Sequence, residues 1–391
     1  MLKKGESMRI GIFGGSFDPI HTEHIALARQ AVTDLSLDRL IVMPAANPPH
    51  KPWRNLTCGA DRLSLCEAAF SCDEKITVSD YELAIGGTSY TYLTLQYFQK
   101  KYPEAELYFL MGTDMLRNFP AWRCPEEILR LCTLAVCARA EEDGWVKKEQ
   151  TAFYEKFGKS FAVLSYEGKD VSSTEIRVLV GAGMDVTAYV GENVAKKIAQ
   201  LGLYNVQGAA ASLALQKPSR RAHSIRVALL AAKRASTLKL NEYQVVQACL
   251  LHDAAKNISL TDPLLDGFTR PAGCPPAVVH QYAGEYLARY RFGITDEAVL
   301  SAIACHTSGK PQMSELDKLV FLADLVEDER SYPGVERLRT LFWEDIDACL
   351  LASLRDTVRY LTAAGQTVYE KTLMAKAYYE QEGENYGNDE Q

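Results

Sequence analysis

The sequence predicts an α/β domain built on a doubly wound parallel sheet, followed by an all-α domain. Two observations support this fold class. Short apolar segments alternate with amphipathic helical segments over residues 8–205, whereas residues 206–378 show only helical periodicity. A chain of 391 residues is also too long for one ordinary core, so two domains are expected. The acidic residues 379–391 are predicted to form a disordered tail.

Composition narrows the functional classes. The formal net charge of −7 argues against bulk nucleic-acid binding, although it leaves room for a local basic pocket. No apolar run reaches the roughly 18 residues that a membrane span needs, and no signal-peptide core is present. Ten cysteines without a Cys-x-x-Cys pair favour reduced thiols in a cytoplasm. We therefore expect neither nucleic acid nor a membrane as a partner, and a homo-oligomer is left open.

Five apolar segments are predicted to be the strands of the sheet. They are Ile10–Phe13, Leu40–Met43, Leu107–Met111, Leu134–Ala138 and Phe161–Leu164. In a parallel, doubly wound sheet the carboxyl ends of the strands share one edge, and ligands bind there. Side chains that follow these strands are therefore the first candidates for a site.

The stretch Arg9–Ala28 combines a strand, a glycine turn and the start of a helix. Gly14 and Gly15 allow the backbone to turn and to approach a ligand closely. His21 and His24 lie three residues apart at the helix start, so they share one face. Free N–H groups, the helix dipole and imidazole donors together suit a phosphate. A simple tight turn and half of a metal site are the alternatives.

Other strand ends carry further candidates. After the second strand, prolines stiffen the loop that holds out His50 and Lys51, and a rigid solvated loop is the alternative. Gly112 and Asp114 end the third predicted strand, where an acid can accept hydrogen bonds from ribose hydroxyls. Arg139 closes the next strand, where it can contact a phosphate.

The segment Ser172–Arg177 opens a later helix. Ser172 and Glu175 form a capping box, which explains both residues structurally. The capping box leaves Ser173, Thr174 and Arg177 unexplained. A helix N-terminus beside a guanidinium suits the outer phosphates of a triphosphate.

Taken together, these segments resemble the motifs of nucleotidyltransferases, most closely those of the bacterial nicotinate-mononucleotide adenylyltransferases. The resemblance implies transfer of the adenylyl group of ATP, with Mg²⁺, to nicotinate mononucleotide, giving deamido-NAD and pyrophosphate. It implies that His21, His24 and Arg177 are catalytic. The implied nucleotide-binding residues are Gly14, Gly15, Ser16, Phe17, Asp18, Gly112, Asp114, Ser173 and Thr174. The implied mononucleotide-binding residues are His50, Lys51, Thr88, Trp122 and Arg139; for Trp122, a core position is an equal alternative.

Three residues depart from the family pattern. Glu23 stands where the signature carries glycine, and Ile85 and Leu93 stand where the family usually carries arginine and aspartate. These departures leave open a first domain that only binds adenine nucleotides and regulates the second.

The helical half contains a different set of polar residues. The adjacent pair His252 and Asp253 ends an apolar helix, where a buried charge needs a partner such as a metal. His223 and Asp324 lie on other helices, and His280 and His306 supply further nitrogen atoms. Imidazoles with carboxylates suit iron, manganese or zinc better than calcium. Any one of these histidines alone would suit a cap or a core position.

This arrangement resembles the HD metal-dependent phosphohydrolases, and in detail the YqeK-type HD proteins. The resemblance implies a symmetrical diadenosine tetraphosphate hydrolase with two transition-metal ions, iron in that family. The implied metal ligands are His223, His252, Asp253, His280, His306 and Asp324. Another nucleotide or a phosphomonoester remains an alternative substrate, because all HD proteins share these ligands.

Overall fold

A computed structural model describes residues 7–47, 56–138, 142–165, 168 and 171–388 of the chain. The chain divides into two compact units. The first comprises the chain up to Ile176 together with Val186–Leu203, and the second comprises Arg177–Asp185 and the chain from Tyr204 onward. The main division thus falls close to the predicted boundary after residue 205. The segment Arg177–Asp185, however, belongs to the second unit.

A six-stranded, entirely parallel sheet forms the centre of the first unit, as the fold class predicted. Its strands are β1 (Arg9–Gly15), β2 (Arg39–Pro44), β3 (Ile76–Val78), β4 (Glu106–Gly112), β5 (Thr133–Ala138) and β6 (Ala162–Ser165). The spatial order is β3-β2-β1-β4-β5-β6, so the direction of winding reverses between β1 and β4. Ligands bind at such a switch point, beyond the carboxyl ends of the strands. The sequence missed β3, which has only three residues and lies at an edge.

Helices cover the sheet, and α8 runs from the first unit into the second. These helices are α1 (Thr22–Asp34), α2 (Gly59–Ala69), α3 (Tyr81–Ile85), α4 (Thr91–Lys101), α5 (Thr113–Asn118), α6 (Pro125–Leu131), α7 (Asp143–Phe157), α8 (Ser173–Gly181), α9 (Thr187–Val190) and α10 (Glu192–Leu201). The central residues of the strands are mostly apolar, because parallel strands are buried on both faces. Ile10, Leu110 and Leu134 accordingly have no exposed surface.

Within the described residues the second unit is entirely helical beyond α8, as predicted. Its helices are α11 (Ala209–Leu215), α12 (Pro218–Ala235), α13 (Glu242–Leu251), α14 (Val279–Tyr290), α15 (Glu297–Cys305), α16 (Glu315–Val326), α17 (Val335–Glu344), α18 (Ile346–Ala363) and α19 (Glu370–Asn388). Their apolar faces pack into one core, in which most residues of α13, α15 and α16 are buried.

The tail prediction needs correction. Helix α19 continues to Asn388, so the predicted disordered segment is helical as far as the structure describes it. The hydroxyl of Tyr379 is buried and accepts a hydrogen bond from the Met313 N–H at 2.7 Å. Glu380 pairs with Arg355 and Lys376. The acidic composition concealed these anchors, because they depend on residues distant in sequence.

All ten cysteines are free thiols. In the described parts of the chain, none of the helices combines the length and apolarity that a bilayer crossing requires.

Candidate functional sites

The loop between β1 and α1 is held by local packing around a phenylalanine. Phe17 is buried and adopts φ 45°, a left-handed conformation uncommon for a residue with a side chain. A Cβ atom on Gly15 would lie 2.9 Å from the Phe17 ring, so a side chain at that position would displace the ring. The Phe17 ring meets the His24 ring edge to face, at 5.2 Å between centroids. Glycine and phenylalanine thus place the histidine.

His21 and His24 lie face to face at the N-terminus of α1. His21 is the N-cap residue, and the two ring centroids are 3.7 Å apart. Burial lowers the pKa of His21 to about 4, and burial together with His21 lowers the pKa of His24. Both imidazoles are therefore neutral near pH 7. Their Nδ1 atoms are buried without a hydrogen-bond partner among the described residues, which is rare for polar atoms in proteins.

The N-terminus of α8 is tied to the same loop. The Ser173 hydroxyl donates a hydrogen bond to the carbonyl of Pro19 at 3.0 Å. Ser172 accepts the Glu175 N–H at 3.2 Å, which is the predicted capping contact. Asp18 is buried and accepts the N–H of Thr57 at 3.4 Å. The structure therefore places two predicted segments, Ser16–Asp18 and Ser173–Thr174, next to each other.

Gly112 and Asp114 lie at the carboxyl end of β4, which pairs with β1. Gly112 is the N-cap of α5, and a Cβ there would lie 2.7 Å from the Asp114 carboxylate. Asp114 itself is exposed. Both residues thus lie at the predicted edge of the sheet, beside β1. The predicted turn at Gly14 and Gly15 is not found, because both glycines are the last residues of β1 and pair with β2.

The predicted mononucleotide-binding residues are described only in part. Thr88 is exposed and pairs with Asn47 in an isolated parallel bridge beyond the end of β2. Trp122 packs against Phe109 and Phe119, so it also takes the core role named as its alternative. His50, Lys51 and Arg139 lie outside the described residues.

Arg177 was predicted to contact phosphate, and in the structure its guanidinium pairs with a carboxylate. Its guanidinium forms two hydrogen bonds to Glu242, with Nε–Oε1 at 2.7 Å and Nη2–Oε2 at 2.6 Å. Both residues belong to the second unit. The sequence motif could not indicate this ion pair, because Glu242 lies 65 residues away. The phosphate contact assigned to Arg177 stays a prediction.

The six predicted metal ligands of the second unit come together from five helices. His223 lies on α12, His252 and Asp253 follow α13, and His280 lies on α14. His306 ends α15, and Asp324 lies on α16. The ligand atoms form two groups, and within each group they lie within 4.8 Å of one another. The first group is His223, His252 and Asp324, and the second is His252, Asp253 and His306. His280 Nε2 adjoins the second group, 3.1 Å from His306 Nε2 and 3.4 Å from Asp253 Oδ1.

Hydrogen bonds orient three of the imidazoles. His252 Nδ1 lies 2.6 Å from the carbonyl oxygen of Cys249, and His306 Nδ1 lies 2.8 Å from that of Ile303. Both rings therefore carry a proton on Nδ1 and direct Nε2 at the cluster. His223 differs, because its Nδ1 lies 3.1 Å from a carboxylate oxygen of Glu327. Sequence reasoning missed Glu327, although it stands three residues after Asp324 on the inner side of the same helix end.

The charges of the cluster favour a bound cation. Burial opposes ionisation of Asp253 and Asp324, but neighbouring imidazoles outweigh it and lower the pKa of both carboxyl groups. Burial and His306 lower the pKa of His280 to about 2, so this imidazole is neutral. His252 Nε2 and Asp253 Oδ1 are buried without a hydrogen-bond partner among the described residues. Imidazole nitrogens, ionised carboxylates and two such buried atoms fit a divalent transition metal.

Three basic side chains surround the cluster. Arg220 Nη1 lies 3.0 Å from Asp253 Oδ2, Lys256 Nζ lies 3.0 Å from His280 Nε2, and Arg330 pairs with Asp324. Arg220 and Arg330 are partly buried, and Lys256 is exposed. Cations at this distance from the ligands can contact the anionic groups of a molecule bound there.

Comparisons with known proteins find a different family in each half of the chain. Residues 12–179 match the cytidylyltransferase-like family, and residues 220–328 match the HD domain. A probable nicotinate-nucleotide adenylyltransferase of Clostridium novyi is 38% identical over 197 residues, which cover 50% of this chain and 98% of the relative. A probable enzyme of the same description from Clostridium tetani is 36% identical over 196 residues, covering 49% and 97%.

Among solved structures, a predicted HD superfamily hydrolase involved in NAD metabolism from Clostridium acetobutylicum is similar to part of the chain. It is 29% identical, with a TM-score of 0.42, and the alignment covers 44% of this chain and 95% of that one.

Proposed function

Because the chain belongs, through its first half, to the nicotinate-nucleotide adenylyltransferase family, we propose that its first unit transfers the adenylyl group of ATP to nicotinate mononucleotide. The products would be deamido-NAD and pyrophosphate. The observation that carries this proposal is the pair of imidazoles of His21 and His24 in the loop and helix after β1, whose Nδ1 atoms are buried. Phosphate oxygens would give their unpartnered Nδ1 atoms hydrogen-bond acceptors.

The transfer needs no covalent enzyme intermediate. The phosphate of the mononucleotide attacks the α-phosphorus of ATP, and the bond to the pyrophosphate oxygen breaks. Catalysis then consists of positioning and charge stabilisation. His21 and His24 would donate hydrogen bonds to the phosphates, while Ser173 and Thr174 would hold the leaving pyrophosphate. Mg²⁺, when bound with ATP, would neutralise part of the phosphate charge.

The test is to incubate the protein with ATP, nicotinate mononucleotide and Mg²⁺ and to measure deamido-NAD. We expect turnover in the wild type and a loss of at least about a hundredfold in His24→Ala, since it removes a phosphate donor. The matched control is Arg29→Ala, which removes the surface partner of Asp73 and should retain full activity. ATP binding without any turnover would instead support a nucleotide-sensing domain.

For the second unit we propose a metal-dependent phosphohydrolase, since an HD domain implies divalent metal binding. Its ligands would be His223, His252, Asp253, His280, His306 and Asp324. Two transition metals, when bound, would polarise a water molecule and a phosphate oxygen. The chain holds the imidazoles in place through the carbonyls of Cys249 and Ile303 and the carboxylate of Glu327.

We propose diadenosine tetraphosphate as its substrate, cleaved by water at the central phosphoanhydride to give two ADP. The supporting observation is the ring of three cations, Arg220, Lys256 and Arg330, around the ligands. A phosphomonoester would engage few of them, whereas a polyphosphate carries charges on both sides of the reacting bond. Iron is the metal that the sequence resemblance favours.

Metal-loaded protein should therefore convert diadenosine tetraphosphate to ADP faster than it releases phosphate from AMP. Removal of the metal with a chelator should abolish the activity, and added iron or manganese should restore it. Release of phosphate from AMP at the higher rate would favour a phosphomonoesterase. Full hydrolysis by metal-free protein would contradict the assignment.

A further inference from the structure

Arg62, on the first turn of α2, is almost completely buried, with 2% of its surface exposed. It shares the buried face of the helix with Leu65 and Cys66. An arginine on an otherwise apolar face is costly unless its donors are used, because a buried charge loses its hydration. The helix therefore carries this residue for a specific set of contacts.

The guanidinium of Arg62 donates to three backbone carbonyl oxygens from separate parts of the chain. Its Nη1 lies 2.7 Å from the oxygen of Ser16, its Nη2 2.8 Å from that of Ala45, and its Nε 2.9 Å from that of Thr57. All three distances are within the range of strong charge-assisted hydrogen bonds. One planar group thus fixes three segments relative to each other.

Two of these segments are loops at the carboxyl ends of strands. Ser16 lies between Gly15, the last residue of β1, and Phe17, whose left-handed backbone precedes Asp18 and the histidine pair. Ala45 directly follows β2, and its N–H donates to the carbonyl of Gly15 at 2.9 Å. Thr57 precedes α2, and its N–H in turn meets the Asp18 carboxylate. Arg62 therefore lies behind the loop that contains the proposed phosphate site.

We propose that Arg62 is a positioning residue for adenylyl transfer, which sets the separation between the Gly15–Asp18 loop and the segments at Ala45 and Thr57. This inference rests on the proposed transferase function of the first unit. A misplacement of the reacting groups by about 1 Å can cost about a hundredfold in rate. Arg62 would act through Ser16 and Phe17 on the histidines and would not touch the nucleotide.

Lysine cannot replace this arginine. An ammonium is a single point on a flexible stem, whereas the guanidinium presents donors along three directions in one plane. Arg62→Lys keeps the charge, but lysine cannot reach all three carbonyl oxygens of Ser16, Ala45 and Thr57 at once. Each buried carbonyl oxygen that loses its hydrogen-bond donor destabilises this arrangement. The loops are then free to shift.

The experiment measures kcat and KM for deamido-NAD formation in wild type, Arg62→Lys and Arg62→Ala. We expect kcat to fall at least about tenfold in Arg62→Lys, with a smaller change in the KM for ATP, because the helix terminus and both histidines remain. Guanidinium ion added to Arg62→Ala should restore part of kcat. Arg29→Ala, which removes a surface arginine of the same unit, should show neither the loss nor the rescue.

A purely structural role predicts a different pattern. Arg62→Lys would then melt at a lower temperature but transfer the adenylyl group at the wild-type rate below that temperature, and this result would overturn the inference. If Arg62→Ala does not fold, the Arg62→Lys kinetics decide alone. A wild type that makes no deamido-NAD would instead refute the transferase function.

Discussion

At the scale of single residues, a buried carboxylate orients one imidazole of the metal cluster. His223 lies between Asp324 on Nε2 and Glu327 on Nδ1. Glu327 is buried, and its Oε2 accepts a hydrogen bond from Arg226 Nε at 2.8 Å. Burial opposes ionisation of the carboxyl group, but Arg226 and other hydrogen-bond donors outweigh this effect and lower the pKa of Glu327 to about 2. A carboxylate acceptor makes an imidazole a stronger metal ligand than a carbonyl does.

The first prediction follows from this contact. Glu327→Ala should lower the affinity for the divalent metal about 10- to 100-fold, the usual effect of removing a group that orients a ligand. Competition with a chromogenic chelator measures the affinity directly. The control is Glu329→Gln, which changes the exposed partner of Arg226 at 2.8 Å. Equal metal affinities in wild type and Glu327→Ala would show that His223 needs no orienting acceptor.

The second prediction concerns His21. Its pKa in the folded protein is about 4, against 6.5 when exposed, so between these values the unfolded chain binds a proton that the folded chain does not. The free energy of unfolding should therefore fall as the pH is lowered from 6.5 towards 4, by about 2 kcal/mol at pH 5 from this residue. Urea unfolding of the ligand-free protein, followed by tryptophan fluorescence, should show a weaker pH dependence in His21→Gln. An identical loss in both proteins would contradict the neutral, buried imidazole.

At the scale of elements, helix ends place most of the candidate residues. His21 and Gly112 are the N-caps of α1 and α5, while His252 and His306 end α13 and α15. Such positions could be predicted, because glycine turns, capping residues and the ends of apolar runs are local in sequence. Arg62 could not be identified in this way, since its three acceptors come from segments that only the sheet brings together. An arginine at helical spacing from Leu65 was the available signal.

The third prediction tests a helix end. Ser314 and Asp317 form a complete capping box at the start of α16, the helix that carries Asp324. Ser314→Ala should lower the stability of the second unit by about 1 kcal/mol, since it removes the acceptor of the Asp317 N–H. Chemical unfolding measures the loss. The metal affinity should stay unchanged, because Asp324 lies almost three helical turns from Ser314. A loss of metal from the folded variant would contradict this separation.

At the scale of the whole molecule, the sequence predicted two cores but placed one segment in the wrong one. Val178 has no exposed surface and packs in the helical core, although it lies within the stretch that matches the cytidylyltransferase-like family. Its partners are distant in sequence, so periodicity alone could not assign it. Ile176, two residues earlier, belongs to the first unit.

The fourth prediction uses these two neighbours. Val178→Ala should destabilise the second unit by about 2 kcal/mol, because it removes two buried carbon atoms and leaves a cavity. The temperature at which the loaded protein releases its metal should fall accordingly. Ile176→Val, on the same helix, should leave that temperature unchanged. An unchanged release temperature in Val178→Ala would show that the segment is not part of the helical core.

The central claim is that one chain carries two separate chemistries, adenylyl transfer in the α/β unit and metal-dependent hydrolysis in the helical unit. The most direct measurement assays both reactions on wild type, His24→Ala and His252→Ala/Asp253→Ala. We predict that His24→Ala loses deamido-NAD formation but still converts diadenosine tetraphosphate to ADP. The double variant should lose its metal and the hydrolysis but still form deamido-NAD. If either folded variant lost both reactions, the account of two separate sites would be wrong.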